Sequence, residues 1–226
     1  MAFSDLFSRR RSDDPDADAG SAGAPVHATK ALPKFLSSLA ARPQPVLLDL
    51  GPVVGRNVTF FGEHLGCKIF VENMYKEVDR HVREGIVDEL PAFVATRFSQ
   101  EDASVDGILC WDVLDYLDIR AAQVVARELA RVLRPGGALF ALFMATAPPT
   151  PDAPTYTKYV VVDEDHLRYR TYGAARGRQK PLLNRDIQRM FAPLAITEQF
   201  LLKTNLREVL FRKPAASRPD PASGAA

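Results

Sequence analysis

The stretch Val46-Leu-Leu-Asp-Leu-Gly-Pro-Val-Val-Gly-Arg-Asn57 decides the fold. Its first five residues form an apolar run broken by one acid and stopped by Gly51-Pro52, as expected of a central parallel strand buried on both faces. A helix pattern follows from about Arg56 to Leu65 and stops at Gly66. A strand, a glycine-containing turn and a helix bring bare backbone to the carboxyl end of a strand, which is where open α/β sheets take their ligands. A tight turn without a ligand has the same pattern.

Upstream of this stretch, Leu32, Phe35, Leu36 and Leu39 make one helical stripe, with Thr29 as its cap and an end before Pro43. Downstream, Lys68 to Val71 is a short strand that ends at Glu72. Tyr75 to Arg83 has a weaker helix pattern, and Phe93 to Phe98 suits a short third strand. Asp106 to Trp111 is a fourth strand, and Ile119 to Leu133 is a helix ended by Arg134-Pro-Gly-Gly137. Ala138 to Met144 is a fifth strand. This alternation predicts a parallel sheet covered on both faces. Beyond the Pro-rich loop at 148–154, Tyr159 to Val162 and Leu167 to Tyr172 read as a hairpin around Asp163-Glu-Asp165. Asn184 reads as the cap of a helix from Arg185 to Phe191. Ile196 to Lys203 and Leu206 to Arg212 read as a second hairpin, which puts an antiparallel strand at or next to the sheet edge. That ending, with an incomplete GxGxxG, disfavours a nicotinamide-dependent reductase.

The chain has 226 residues, 46% of them hydrophobic, which suits a single domain. Residues 1–27 and 214–226 are too poor in apolar side chains to offset their ordering entropy and are expected to be disordered tails. The folded domain is expected over 28–213, with a hairpin insertion at about 156–173. The whole chain has 29 basic and 28 acidic residues and a net charge of +1, which leaves no field strong enough to draw it to nucleic acid or anionic lipid. Ala138 to Ala147 is the longest apolar run, far short of a membrane span, and MAFSDLFSRRRSDD has no export-signal pattern, so a cytoplasmic location is expected. Cys67 and Cys110 lie in apolar runs and read as reduced core residues, with no Cys/His cluster for a metal.

Chemistry-bearing residues gather past the strand ends. Glu72 lies about twenty residues beyond the first turn, where an acid can accept both hydroxyls of a ribose. Asp112 and Asp115 follow the fourth strand, where a carboxylate can take a proton from an acceptor. Trp111 either walls a pocket or packs in the core, and Tyr116 either lines an acceptor site or packs. His64 and His81 read as surface residues, and His166 lies at a hairpin turn. Arg168, Arg170, Arg176, Arg178, Lys180, Arg185 and Arg189 are opposed only by Asp186, which predicts a lid that favours an acidic or phosphate-bearing partner.

Together these stretches resemble the class I S-adenosylmethionine-dependent methyltransferases over about residues 28–213. The most specific matches are Phe98-Ser-Gln-Glu-Asp-Ala-Ser-Val-Asp-Gly-Ile-Leu-Cys-Trp-Asp-Val-Leu-Asp-Tyr-Leu117 and Glu128-Leu-Ala-Arg-Val-Leu-Arg-Pro-Gly-Gly137. The resemblance implies a Rossmann-like, doubly wound sheet of seven strands, mostly parallel with an antiparallel C-terminal strand. It implies S-adenosylmethionine as cofactor, with Gly51 and Gly55 flanking its methionine part and Asp49 holding the turn. Glu72 would bind the ribose, Asn73 would lie near the adenine, and the backbone at Cys110 and Trp111 would meet the methionine end. Asp112 is the catalytic candidate; Asp115, Tyr116, Arg168 and Arg170 are candidates toward a small-molecule acceptor. The sequence departs from the family at Val53, where a glycine is usual, and at Pro52, which removes a backbone donor. It also lacks an acid near Val94 to Thr96. A catalytically silent domain that binds a protein partner, through its tails for example, is the alternative reading.

Overall fold

The computed structural model describes residues 23–147 and 153–215. In chain order the elements are β1 (Val26–Ala28), α1 (Leu32–Ala40), β2 (Val46–Asp49), α2 (Gly55–Thr59), β3 (Lys68–Val71) and α3 (Met74–Arg83). Then follow α4 (Leu90–Arg97), β4 (Val105–Trp111), α5 (Ile119–Val132), β5 (Leu133–Met144), β6 (Thr155–Asp163), β7 (His166–Gly173), α6 (Asn184–Met190), β8 (Ala195–Leu201) and β9 (Leu206–Arg212).

The main sheet has the order β3-β2-β4-β5-β9-β8. β3, β2, β4 and β5 run parallel, and β9 is antiparallel to both of its neighbours. The alternation predicts the parallel part of this sheet, and the resemblance implies its Rossmann-like, mostly parallel form with an antiparallel strand near the C-terminus. The strand count differs: among the described residues the sheet has six strands, not seven. The segment read as the third strand lies almost wholly within α4, where Pro91 pre-sets the first turn and Leu90 and Val94, one turn apart, are both buried.

Each face of the sheet carries its own core. Along β4, Ile108 and Cys110 pack with residues of α3, α4 and α5, whereas Leu109 and Trp111 face α1, Phe61 and the β6–β7 hairpin. Asp106 ties the amino-terminal ends together: it accepts from Val46 N–H at 2.9 Å and pairs with Arg134 at 2.8 Å and Arg42 at 3.2 Å.

The hairpin forms a second sheet, β1-β7-β6. Val26 and His27, assigned above to a tail, pair with Arg168 and Leu167 of β7. The buried carboxylate of Glu208 accepts from Lys30 N–H at 2.7 Å and Ala31 N–H at 2.9 Å, just ahead of α1. Thr29 Oγ1 accepts from Leu32 N–H at 3.3 Å, close to its expected capping role. Residues 1–22 and 216–226 of the expected tails lie outside the described residues.

Smaller differences have local causes. The helix begun by α2 widens to a π-turn over Phe60–His64 and closes at Gly66, whose φ of 62° suits glycine. Asn184 does not cap α6; Leu183 precedes the helix, and the Asn184 amide oxygen accepts from Gln199 and Arg207. His81 is buried, with Nδ1 2.7 Å from the Glu77 carbonyl and its ring against Phe93, while His64 is exposed as expected. Cys110 is buried and Cys67 half-buried, both as free thiols, and burial pushes the Cys67 thiol up to about 11.

Candidate functional site

The carboxyl ends of β3, β2 and β4 converge. Glu72 N–H donates to the Asp49 carbonyl at 2.7 Å, and Met74 N–H donates to Leu50 at 3.0 Å, so the turn after β2 and the end of β3 are stitched together. Asp49 holds the turn as expected, because its Oδ1 accepts from Gly51 N–H at 2.8 Å. The same oxygen also accepts from the Trp111 indole N–H at 2.7 Å. Burial raises the Asp49 carboxyl to about 6, against the pull of the Gly51 and Trp111 donors.

Trp111 dominates this end of the site. Its register against β5 shifts between Leu109 and Trp111, and the residue has a φ of 49°. A bulge re-aims the side chain that follows it, and a left-handed backbone on a bulky residue costs on the order of 1–3 kcal/mol. The indole offsets that strain by its bond to Asp49, by stacking on Tyr159 of β6 at 5.3 Å and 10°, and by an edge contact with Phe140 at 5.8 Å. It is 2% exposed. A Cβ added to Gly51 would lie 2.9 Å from the Trp111 ring and 3.0 Å from Asp49 Oδ1. The glycine that was expected to leave room for a ligand leaves room for tryptophan.

The nucleoside end is also engaged. The Glu72 carboxylate pairs with Arg97 at 2.5 Å and accepts from Gln100 at 3.3 Å, both supplied by α4 and the residue turn after it. Asn73 caps α3, accepting from Lys76 N–H at 3.1 Å. Gly55 opens α2 at the surface. Val53 is 56% exposed, so the departure from the family glycine fills nothing, and Pro52 is buried.

Asp112 is fully buried, and both of its oxygens are used. Oδ1 accepts from the Tyr75 hydroxyl, and Oδ2 accepts from the Arg178 guanidinium, through Nη2 and through Nε at 3.1 Å. Arg178 also lies over the Tyr116 ring, 5.7 Å from its centroid. As it stands, Asp112 is an anchor for the segment after β7, with a donor on each of its oxygens. Asp115 Oδ2 accepts from Met144 N–H at 2.6 Å while its Oδ1 has no partner, and burial, then the Asp112 charge, raise it to about 7. Burial and the same charge push the Tyr116 hydroxyl up strongly.

The β6–β7 hairpin is fastened over these strand ends. Asn57 donates to the Tyr159 carbonyl and accepts from Val161 N–H, each at 2.8 Å, and Arg56 donates to the carbonyls of Val161 and Val162. A cavity of about 560 Å³ opens beside it, bounded by Met144, Thr155, Arg178, Gln179, Lys180 and Asn205 among others. Among the described residues no carboxylate lines it. Arg168 and Arg170, the expected acceptor contacts, do not line it either; they sit on β7, the middle strand of the hairpin sheet. Sequence reading named Arg178 only within a basic run and missed Tyr75, Tyr159, Arg97 and Gln100. At the hairpin tip His166 Nδ1 lies 2.9 Å from Asp163 and 2.8 Å from Asp165, and the Asp163 bond first of all raises its pKa.

Residues 48–141 match the model of a family described as a methyltransferase domain. Among solved structures, the chain is similar to a 1,6-didemethyltoxoflavin N1-methyltransferase of Burkholderia thailandensis, solved with 1,6-didemethyltoxoflavin and S-adenosylhomocysteine. The identity is 16%, the TM-score 0.46, and the match covers 82% of this chain and 77% of that one. It is similar too to the CcbJ methyltransferase of Streptomyces caelestis, at 14% identity and a TM-score of 0.46, covering 81% of this chain and 95% of that one. No curated protein matches. Among the described residues no helix is long and apolar enough to cross a membrane. S-adenosylmethionine, the cofactor of such domains, does not fit these residues as they stand: the cradle at Gly51 is filled by Trp111, and the Glu72 carboxylate is held by Arg97.

Proposed function

We propose that this chain, whose residues 48–141 match the model of a methyltransferase domain, transfers a methyl group from S-adenosylmethionine to a small acceptor, in a form more open than this one. The observation that carries the reading is the meeting of Asp49, Gly51, Glu72, Asn73, Cys110 and Trp111 at the carboxyl ends of three adjacent parallel strands. The acceptor side is the 560 Å³ cavity. Among the described residues its charged lining consists of Arg178, already paired with Asp112, and Lys180, which supports an acidic or phosphate-bearing acceptor. Asp112 becomes available to take a proton only once Arg178 and Tyr75 release it.

A second reading, a catalytically silent domain that binds a partner protein, is favoured by the filled cradle at Gly51 and the Glu72–Arg97 pair. Calorimetric titration of the full chain with S-adenosylmethionine and S-adenosylhomocysteine separates the two. The enzymatic reading predicts binding below millimolar ligand, about tenfold or more weaker in Glu72→Ala. No heat at millimolar concentrations of either compound, from the wild type or from the opened variants described next, selects the silent domain.

A further inference from the structure

We infer that Trp111 is an internal plug: its indole occupies the place at Asp49 and Gly51 that a ligand's methionine end would take, and the Arg178–Asp112 pair latches the hairpin that holds it there. The identity of the ligand rests on the function proposed above; the plug itself rests on this chain's own contacts. Three of them act together. The Asp49 oxygen facing the turn already has two donors, one of them the indole at 2.7 Å. Gly51 has no room for even a methyl group beside that ring. The outer face of the indole is stacked on Tyr159, whose own strand is pinned by Asn57 on one side, and whose hydroxyl lies 3.5 Å from Arg178 on the other. Arg178 in turn grips Asp112, the residue that follows Trp111 in the chain. The plug, the hairpin and the latch therefore move as one unit. A ligand that reaches Asp49 must displace the indole, and the indole cannot leave while Tyr159 covers it.

The chain has one tryptophan, so its emission reports this residue alone. Tryptophan emission and acrylamide quenching are measured on the full chain, on Arg178→Ala, and on Tyr159→Leu, which removes the stack without stranding a charge. Thermal melts confirm that each variant is folded. The wild type is expected to emit at short wavelength and resist quenching. Both variants should shift to longer wavelength and quench faster. S-adenosylhomocysteine should drive the same change in the wild type and should bind the variants about tenfold more tightly, since a site that opens only part of the time loses affinity in proportion. Unchanged emission and quenching in both folded variants overturns the latch. Binding to the wild type with the indole signal unmoved overturns the plug and leaves the enzymatic reading standing. If the variants free the indole but no protein takes up ligand, the plug stands and the enzymatic reading falls.

Discussion

Asp115 carries the clearest pH signature at the scale of single residues. Its carboxyl is raised to about 7, first by burial and second by the Asp112 charge, while Met144 N–H, Arg178 and Arg207 pull it back. Asp49 is raised to about 6. Both native carboxyls therefore hold protons, from about pH 4 to about pH 6 or 7, that the unfolded chain has given up. The unfolded state binds fewer protons across that window, so stability falls as pH rises through it and levels off above. Asp115→Asn keeps an acceptor for Met144 N–H and should remove much of the fall, by roughly a few kcal/mol between pH 5 and pH 8. Urea unfolding at those two pH values checks it; equal slopes for wild type and variant contradict it. Asp112→Ala leaves Arg178 without its buried partner and should cost about 3–5 kcal/mol, roughly 10 °C in Tm for a chain of this size. Gly51→Ala puts a methyl group 2.9 Å from the Trp111 ring. It should cost about 1–3 kcal/mol and shift the tryptophan emission, because the ring has to move.

At the scale of elements, the hairpin is held to α2 by Arg56 and by Asn57, whose one side chain serves two buried backbone groups. Asn57→Ala strands the Tyr159 carbonyl and Val161 N–H, and should cost about 2–4 kcal/mol while speeding limited proteolysis within residues 155–173. Unchanged cleavage would show that the hairpin is fastened elsewhere. The strands and helices around Val46–Asn57 were legible in the sequence because their periods are clean and Gly or Pro ends them. Leu90 to Phe98 was not, since a short apolar run suits a buried strand as well as a helix, and Pro91 decided between them. The cost of that error reached the site, because α4 delivers Arg97 to Glu72. Trp111 and Asp112 were named as site residues from their places at the end of β4 and just past it, and from the resemblance. Their present engagement was illegible, because it depends on a bulge that turns one side chain, on Tyr75 of α3, and on Tyr159 of the hairpin and Arg178 beyond it, both far along the chain.

At the scale of the whole molecule, the near-neutral charge makes long-range steering weak, so a charged acceptor would be gathered locally by Lys180 rather than by the protein's field. The topology brings Asp49, Gly51, Glu72, Asn73, Cys110, Trp111 and Asp112 to one end of a parallel sheet, where Tyr159 of the hairpin sheet stacks on Trp111. The frame is a Rossmann-like, mostly parallel sheet, and the β1-β7-β6 sheet is built onto it. One signal joins the two, the single indole N–H resonance in a proton–nitrogen correlation spectrum of the full chain. Bonded to buried Asp49, it should exchange slowly with solvent, and titration with S-adenosylhomocysteine should move it progressively to a new saturating position as the ligand displaces it. A resonance that stays in place at millimolar ligand contradicts the account of this turn as the cofactor site.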